Sequence, residues 1–533
     1  MKARNWTLLI WLLLAACAQV REISGGEKDT VPPQLVNSYP AHLSTRFTSK
    51  RIVLQFDERI QLDRVRDRLL VSPPLSEPPD VRITGSKNVT IDLNSPLKEN
   101  TTYTFAIGEA VKDLSEGNAA VGLVYVVSTG EVVDSMLVAG EVLNAYTGKP
   151  ETEVLVSLYA TDDTATVRTG RPAYATRSDA SGRFTLKHLR PGSYRAYALR
   201  DQNANFRYDL PNEEIAFLDS VIVLESLDSI APFHTLELFR EVSAVQALRE
   251  SRVLADGAVR LVLARPGEDL SVRDVARSGG ELTWTNAWSA TRDTVLLWPS
   301  DTTALSLGRY ELRSDGLILD TIRYRMVERM PFATSLQVRV VEVENEAMVD
   351  VRAARPIAAV DTSLIRMVRD SLPLAYTVER DSVDQRLLHL RTDLPPGSEA
   401  LLVILPKAIR DIYGGENDSL RTGLGRAAEK STGTLRIRFE HKTPPRYARI
   451  LQLLDGQGNV VRRSFMEISA NTVVWERLMP GNHTLRMIMD RNGNGRWDTG
   501  ELELGLQPEQ VLSFGETINV RAAWDLAVDL KVE

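Results

Sequence analysis

The chain has 533 residues, of which 43% are hydrophobic, and its 64 basic residues stand against 71 acidic ones. A chain of this length exceeds a single hydrophobic core, so several domains are expected, and its hydrophobic fraction excludes a long disordered protein. The net charge of -7 comes without a basic block, which argues against nucleic acid as a partner.

The first residues predict export. Lys2 and Arg4 precede a short apolar run that ends in Leu-Ala-Ala-Cys, with the cysteine at Cys17. A run of this length is typical of a signal-peptide core and is too short to span a membrane. Because Cys17 is the only cysteine, an exported chain has no second cysteine for an internal disulfide. We interpret residues 1–17 as a signal peptide and residues 18–33 as a tether.

Leu-Ala-Ala-Cys resembles the bacterial lipobox, whose cysteine receives lipid and becomes the first residue of the mature protein. The resemblance implies that Cys17 is acylated and that the signal peptide is of the lipoprotein type. No other run reaches the roughly 18 apolar residues of a membrane-spanning helix, so the lipid would be the membrane anchor.

Short strands are the predicted elements after the tether. Ile52, Leu54 and Phe56 alternate with polar residues, as half-buried strands require. The same alternation recurs along the chain, with turn signals such as DASG and DGQGN between the runs. The stretch from Leu62 to Leu70 predicts one short helix. Many short strands with regular turns favour an all-β fold of sandwiches.

Two pairs of segments repeat along the chain. The segment PGSYRAYALRDQNANFRYD, residues 191–209, matches PGNHTLRMIMDRNGNGRWD, residues 480–498, without a gap. Earlier in each half, YTFAIGEAVKDLSEGN, residues 103–118, is similar to LLVILPKAIRDIYGGEN, residues 401–417. The order of these repeats predicts five domains in the arrangement A-B-C-A'-B'.

Residues 34–131 resemble the bacterial Ig-like domain of S-layer proteins. The resemblance includes the FDE sequence of Phe56 to Glu58. The internal repeat extends the interpretation to residues 334–430, a divergent Ig-like repeat in which VDVRAARPI replaces the FDERI stretch.

Residues 135–240 are similar to the carboxypeptidase-regulatory-like, transthyretin-type sandwich, and residues 433–533 form the second copy. Residues 242–328 are predicted as a β-rich domain of unknown type. The resemblances together imply an all-β fold of tandem Ig-like and transthyretin-like β-sandwiches. Their order behind a lipobox looks like a group of Bacteroidota lipoproteins with Ig-like domains.

This resemblance implies a lipid-anchored protein of the outer membrane. Surface-exposed lipoproteins of this phylum commonly carry an acidic cluster just after the cysteine, whereas Glu22 is the only acid in AQVREIS. The periplasmic face is therefore favoured over the cell surface.

The segment DRNGNGRWDTGE fits the calcium-loop pattern D-x-[DN]-x-[DN]-G-x5-E in full. The pattern predicts a structural Ca²⁺ held by Asp490, Asn492, Asn494, the carbonyl of Arg496, Asp498 and Glu501. Its flanks are predicted strands, so the ion would stiffen a hairpin. The alternative is a loop rich in Asn and Gly whose side chains cap their own backbone.

The sister loop of the first half is predicted as a weaker calcium site. Its ligands would come from Asp201, Asn203, Asn205, Arg207 and Asp209. Phe206 stands at the glycine position and Asn212 at the closing glutamate, so Glu213 or Glu214 would have to complete the site.

A short triplet of Asp, then Ser or Thr, then a small or apolar residue recurs along the chain. It resembles the O-glycosylation acceptor of exported Bacteroidota proteins, and the alternative is that these pairs start turns and strands. The candidate acceptors are Thr30, Ser135, Thr164, Ser220, Ser229, Thr294, Thr302, Thr321, Ser371, Ser382 and Ser419.

The sequence favours a non-catalytic function. None of the six histidines is spaced for a zinc site, and neither a nucleophile elbow nor a phosphate-binding loop occurs. We expect a scaffold or a binding and adhesion module, whose partner is a protein of the cell envelope or a surface glycan. The alternative is a carbohydrate-active or peptidase-like enzyme in which residues 242–328 are the catalytic part, although they contain neither histidine nor cysteine.

Overall fold

The computed structural model describes residues 29–532 with short gaps, at 121, 226–232, 244, 268, 276–282, 290, 300–307, 315, 325–335 and 344–345. The chain divides into two compact units. One comprises Met1–Val142, Thr152–Tyr208 and Ser220–Leu236, and the other comprises Leu143–Glu151, Asp209–Asp219 and Glu237–Glu533. The boundaries of the five domains inferred from the sequence stay a prediction.

The first unit begins with nine strands and one short helix. They are β1 (Leu35–Tyr39), β2 (Arg51–Phe56), β3 (Ile60–Leu62), α1 (Val65–Arg68), β4 (Leu70–Ser72), β5 (Asp80–Thr84), β6 (Asn88–Asp92), β7 (Thr102–Ala106), β8 (Val111–Asp113) and β9 (Val124–Ser128). The sheets have the orders β1-β2-β6-β5, β3-β8 and β4-β7-β9. The short helix expected near residue 65 is thus confirmed.

The alternation in these strands places one face in a common core. Ile52, Leu54 and Phe56 of β2 are at most 2% exposed, and they pack with Ile91 and Phe105 from neighbouring strands. Full burial of such a side chain stabilises the fold by about 1.5–3 kcal/mol. The predicted alternation is therefore confirmed here.

The next eight strands form two sheets. They are β10 (Met136–Asn144), β11 (Leu155–Ala160), β12 (Tyr174–Arg177), β13 (Arg183–Leu189), β14 (Gly192–Leu199), β15 (Ile215–Phe217), β16 (Ile222–Leu224) and β17 (Phe233–Leu238). One sheet has the order β13-β10-β17, and in the other β12, β11 and β14 are neighbours, with β16 paired to β14.

In the second unit, the described strands of residues 242–328 form a four-stranded and a three-stranded sheet. They are β18 (Leu248–Val253), β19 (Val259–Leu263), β20 (Leu270–Asp274), β21 (Trp284–Trp288), β22 (Thr294–Pro299), β23 (Gly308–Ser314) and β24 (Leu317–Tyr324). The sheet orders are β18-β19-β22-β21 and β20-β23-β24.

Ten strands follow, and their pairing corresponds to that of β1–β9. They are β25 (Gln337–Val343), β26 (Glu346–Arg352), β27 (Ile357–Val360), β28 (Ile365–Arg369), β29 (Leu372–Pro373), β30 (Tyr376–Arg380), β31 (Leu387–Thr392), β32 (Glu399–Ile404), β33 (Ile409–Asp411) and β34 (Leu420–Gly425). The orders β25-β26-β31-β30 and β27-β33 match β1-β2-β6-β5 and β3-β8. Single turns of 3-10 helix lie at Gly108–Ala110, Thr362–Leu364 and Glu429–Ser431.

A shared aspartate organises one turn in both Ig-like repeats. Asp113 ends β8, is 1% exposed and accepts backbone N–H groups from the following turn, including that of Gly117 at 2.9 Å. Asp411 ends β33, is also 1% exposed and accepts the N–H groups of Tyr413 at 2.9 Å and Gly415 at 2.7 Å. The repeated Lys/Arg-Asp sequence therefore corresponds to a repeated hydrogen-bonded turn.

The last seven strands have the pairing of β10–β17. They are β35 (Gly433–His441), β36 (Ala448–Leu454), β37 (Val460–Met466), β38 (Thr472–Leu478), β39 (Gly481–Asp490), β40 (Val511–Val520) and β41 (Asp525–Val532). The orders β38-β35-β41 and β37-β36-β39-β40 match β13-β10-β17 and β12-β11-β14. The described chain is thus an all-β fold of tandem sandwiches, as the sequence predicts.

Candidate functional site

The loop that fits the calcium pattern joins β39 to β40. The carboxylate of Asp490, the last residue of β39, is 1% exposed. It accepts the backbone N–H groups of Gly493 (2.8 Å), Asn494 (3.1 Å) and Gly495 (2.8 Å). The two glycines have φ of 71° and 74°, a left-handed conformation that glycine adopts without strain. Asp490 therefore folds the loop around its own side chain.

Three further side chains close this loop. Asn492 and Asn494 each donate an amide N–H to one oxygen of Asp498, at 2.7 and 2.6 Å. Their amide oxygens accept backbone N–H groups, from Asn494 at 3.1 Å and from Arg496 at 2.9 Å. The structure therefore brings Asp490, Asn492, Asn494 and Asp498 together, as the spacing predicts.

The remaining predicted ligand, Glu501, has a different setting. Glu501 is exposed, and its backbone pairs with Leu506 in a short turn. In the part of the chain that the structure describes, no group of three or more His, Cys, Asp or Glu side chains could hold a metal ion. A carboxylate has about four lone-pair directions, and Asp490 uses three of them. The four clustered side chains thus fit a cation in part, and the closing ligand would have to move in.

The sequence interpretation missed a buried acid behind this loop. Glu509 follows Pro508, is 1% exposed and accepts the N–H groups of Arg491 (2.6 Å) and Asp498 (3.1 Å). Burial raises the pKa of Glu509 above its ordinary value, and the charges of Asp498 and Asp490 act in the same direction. In the sequence, the position of Glu509 directly after Pro508, at the end of the loop, could have indicated this residue.

The sister loop repeats the backbone arrangement. Asp201 accepts the N–H groups of Asn205 (3.3 Å) and Phe206 (2.8 Å). Asn203 accepts the N–H of Asn205 at 3.2 Å, and Asn205 accepts that of Arg207 at 2.8 Å. The side chains of Asp201, Asn203 and Asn205 therefore accept hydrogen bonds from the backbone of their own loop.

A buried glutamate also follows this second loop in the sequence. Glu213 is 0% exposed and accepts the N–H groups of Asp209 and Leu210, both at 3.0 Å. Glu214 lies 3.5 Å from the guanidinium of Arg240. Of the two acids that the sequence left open, Glu213 is the one that corresponds to the buried glutamate of the C-terminal loop.

Within the second unit, the C-terminal loop packs against segments distant in sequence. The Trp497 ring lies 5.1 Å from the ring of Tyr146, over which Arg486 stacks at 4.1 Å. Thr499 donates its hydroxyl hydrogen to the carbonyl of Arg240 at 2.8 Å, across 259 positions of sequence. No local pattern could predict these contacts.

A charged cluster lies on the sheet β25-β26-β31-β30. His389 on β31 bonds Asp350 on β26 through Nδ1 (2.8 Å) and Asp381 through Nε2 (3.0 Å). Burial opposes protonation of the imidazole, but both carboxylates outweigh it and raise the pKa of His389. Arg339 lies 3.2 Å from Asp350. Both ring nitrogens are engaged, so this histidine has a structural role.

The candidate glycosylation residues are largely accessible. Thr294 on β22 is half-buried. Ser229 and Thr302 lie outside the described residues, as does Cys17. The exposed candidates are Thr30, Ser135, Thr164, Ser220, Thr321, Ser371, Ser382 and Ser419. Over the described ranges, the structure contains no helix with the length and apolar character needed to cross a membrane.

Comparison with known proteins identifies one region. Residues 29–129 match the family model of the bacterial Ig-like domain. Among curated proteins, no match to the chain was found. The match covers the region in which the sequence resemblance to Ig-like domains was strongest, and it confirms that resemblance there.

Solved structures with similar strand arrangements include surface proteins. The major pilin subunit BcpA of Bacillus cereus is 10% identical, and the alignment covers 74% of this chain and 99% of that one at a TM-score of 0.14. The S-layer protein rSbsC is 11% identical over 92% and 67%, at 0.15. The RrgB pilus protein from Streptococcus pneumoniae is 9% identical over 75% and 66%, at 0.16.

Proposed function

We propose that the protein is a non-catalytic lipoprotein, anchored in the outer membrane through Cys17, whose tandem sandwiches form a scaffold or a binding and adhesion module. The proposal is supported by the match of residues 29–129 to the bacterial Ig-like domain and by the resemblance of the preceding Leu-Ala-Ala-Cys sequence to a lipobox. The proposed partner is a protein of the cell envelope or a surface glycan, and the periplasmic face is favoured.

The environments of the titratable groups support a role without catalysis. His389 is held between two aspartates, and His441 lies 2.5 Å from the buried guanidinium of Arg449. The carboxylates of Asp113 and Asp411 are occupied by backbone N–H groups of their own turns. These groups stabilise turns and strands, and such use leaves them unsuited to proton transfer to a substrate.

The anchor is tested by substituting Cys17. The wild-type chain is expected in the outer-membrane fraction, released by detergent, with a mass increase at its N-terminal cysteine. Cys17→Ala should be unlipidated and recovered without detergent, whereas the tether variant Ser24→Ala should behave as wild type. Normal membrane retention of Cys17→Ala would sink this part of the proposal.

The partner class is tested by purification through the native lipoprotein. A fixed subunit of an envelope complex should bring down the same proteins in constant proportion after mild solubilisation. A freestanding adhesin should be recovered alone and should bind a surface glycan or cell in a separate assay. Hydrolysis of a glycan or peptide by the purified chain would favour the alternative, an enzyme.

The C-terminal loop is proposed to hold a structural calcium ion. The ligands would be Asp490, Asn492, Asn494, the carbonyl of Arg496, Asp498 and Glu501, and Glu501 would have to turn towards the cluster. Calcium would neutralise acids that otherwise repel one another beside Glu509. The sister loop, with Asp201, Asn203, Asn205, Arg207 and Asp209, is proposed as a weaker site of the same kind.

Calorimetric titration tests the calcium proposal. Calcium at 100 times its dissociation constant should stabilise the C-terminal region by about 2.7 kcal/mol. Asp498→Ala should abolish the heat of binding, and Asp455→Ala, in an exposed turn of the same sandwich, should leave it unchanged. The absence of both heat and a rise in melting temperature at millimolar calcium would leave the self-capped loop as the correct interpretation.

Glycosylation of the exposed triplets is proposed in the same way. Eight of the candidate acceptors have exposed side chains, as an enzyme that attaches a glycan requires. Intact-mass measurement of the native chain should show hexose-containing adducts that Ser382→Ala and Ser419→Ala reduce. A native mass equal to that of the lipidated polypeptide would contradict the proposal.

A further inference from the structure

The first compact unit contains a cleft of about 850 Å³. This volume lies within the range of about 300–1,000 Å³ that is common for ligand sites. One wall is formed by α1 and the chain from β4 to β5, including Arg66 and Leu75. The opposite wall is formed by Arg171 and by the loop residues Ala204 and Phe206.

The loop wall has an unusual backbone. Ala204 and Phe206 have φ of 56° and 65°, in the left-handed region where side chains other than glycine are strained. The corresponding residues of the C-terminal loop are Gly493 and Gly495, with φ of 71° and 74°. The first loop thus keeps a backbone suited to glycine but carries two side chains that face the cleft. Strain of this kind is typical of functional sites.

The rim of the cleft is basic. Arg64, Arg66 and Arg171 line it and are exposed, and they outnumber the two lining aspartates, Asp67 and Asp80. In the described part of the chain, neither Arg66 nor Arg171 has a carboxylate within ion-pair distance. The basic rim contrasts with the net charge of -7 on the whole chain.

Between these charged groups, the lining of the cleft also contains apolar side chains. Leu70, Val71 and Leu75 lie in it together with several prolines, and Phe206 adds an aromatic ring on which Arg171 rests at 5.9 Å. Sugars usually stack on several exposed aromatic rings, whereas Phe206 is the one aromatic residue among those that line this cleft. An extended peptide can place apolar side chains inside such a cleft and carboxylates at its arginines.

We propose that this cleft binds an extended peptide segment of a protein partner, in which carboxylate side chains alternate with apolar residues. Arg66 and Arg171 contact the carboxylates, and Phe206 packs against an apolar side chain. The inference rests on the proposed binding function and assigns it to a defined site on the first unit.

Fluorescence anisotropy with two labelled probes tests the site on the full chain. One probe is a nonapeptide of Glu-Pro-Leu repeats, and the other contains Lys in place of Glu. The Glu probe should bind and the Lys probe should not. The double variant Arg66→Glu, Arg171→Glu should weaken binding about tenfold or more, whereas Arg195→Glu, an exposed strand residue outside the cleft, should bind as wild type.

Phe206→Gly separates recognition from folding. Glycine suits the left-handed backbone, so the variant should keep the hydrogen-exchange protection of the loop amides and yet bind the Glu probe about tenfold more weakly. Phe206→Tyr, which keeps an aromatic ring at this position, should bind the Glu probe as the wild-type chain does. No binding of the Glu probe at millimolar concentration, equal binding of both probes, or displacement only by polygalacturonate would each overturn the proposal.

Failure of this site is distinguishable from failure of the proposed function. Membrane fractionation of the double arginine variant and co-purification of its partners report on anchoring and on scaffold assembly. If anchoring and the set of partners are normal but the Glu probe does not bind the wild-type chain, only the assignment of a binding site to this cleft is refuted.

Discussion

The loops of residues 201–213 and 490–509 have the same backbone plan but different uses. In both, an aspartate at the start accepts N–H groups from four and five residues ahead, and a buried glutamate bonds the N–H of the second aspartate. The C-terminal loop has glycine at both left-handed positions, whereas the first has Ala204 and Phe206. The comparison shows that the first aspartate determines the conformation of the turn, and that glycine only lowers the conformational strain at the left-handed positions.

The difference in length also matters. The C-terminal loop has extra residues between Asp498 and Glu509, and from this stretch Thr499 and Gln507 bond the carbonyls of Arg240 and Phe217, at 2.8 and 2.9 Å. The first loop lacks this extension, and its Phe206 lines a cleft. The C-terminal loop therefore packs against other segments of its unit, whereas the first loop presents side chains to the cleft.

The largest expected effect comes from removing the first aspartate of each loop. Asp490→Ala removes the buried carboxylate that accepts three backbone N–H groups and should destabilise the C-terminal loop by about 3 kcal/mol. Asp201→Ala removes the acceptor of two N–H groups at a half-buried position and should cost about 1 kcal/mol. Hydrogen exchange of the loop amides measures both values. Equal losses would show that the two turns depend on their aspartates to the same degree.

A substitution at the left-handed position tests the cost of strain. Gly495→Phe copies the residue of the first loop into the second, where a Cβ would meet nothing within 4 Å. The variant should lose about 2 kcal/mol, because the cost is conformational and not steric. Gly456→Phe is the matched control, since its Cβ would also meet no neighbour and its φ is not in the left-handed region. A similar loss in both variants would refute the role of backbone strain.

Local patterns explain which parts of this comparison could be read from the sequence. The alternation of Ile52, Leu54 and Phe56 and the spacing from Asp490 to Asp498 depend on neighbours in the chain, so strands and loop side chains were predictable. Glu509 was missed because the number of residues between a loop and its buried acid varies. Tyr146 was missed because its contact with Arg486 spans 340 positions.

The Ig-like repeats show a similar divergence at one pair of facing positions. Val53 faces Thr90 in the first repeat, and Asp350 faces His389 in the second. The pKa of His389 is raised in the folded protein. The stability that its protonated form contributes is therefore complete below the unfolded pKa of about 6.5, and it is lost as the pH rises through the pKa of the folded state.

The pH dependence can be measured against a matched variant. Because His389 loses its proton, the second repeat should be about 1 kcal/mol less stable at pH 8.5 than at pH 5.5. The substitution His389→Gln should remove this difference. Asp381, whose pKa is lowered by the N–H of Asp384 and by other bonds, adds stability that is lost only at more acidic pH. Thermal melts at both pH values decide the matter, and an unchanged pH dependence in His389→Gln would contradict the assignment.

The smallest effect is a gain in stability at the first loop. Ala204→Gly restores the residue of the C-terminal copy at a φ of 56°. Relief of the left-handed strain outweighs the greater freedom of glycine in the unfolded chain, so the first loop should gain about 0.5 kcal/mol. Ala180→Gly, at an exposed turn position outside the left-handed region, should instead lose about 0.5 kcal/mol. If hydrogen exchange shows a gain in stability for Ala204→Gly and a loss for Ala180→Gly, Ala204 is present despite its conformational cost. Equal losses of stability in the two variants would refute the argument that the loop wall of the cleft is strained.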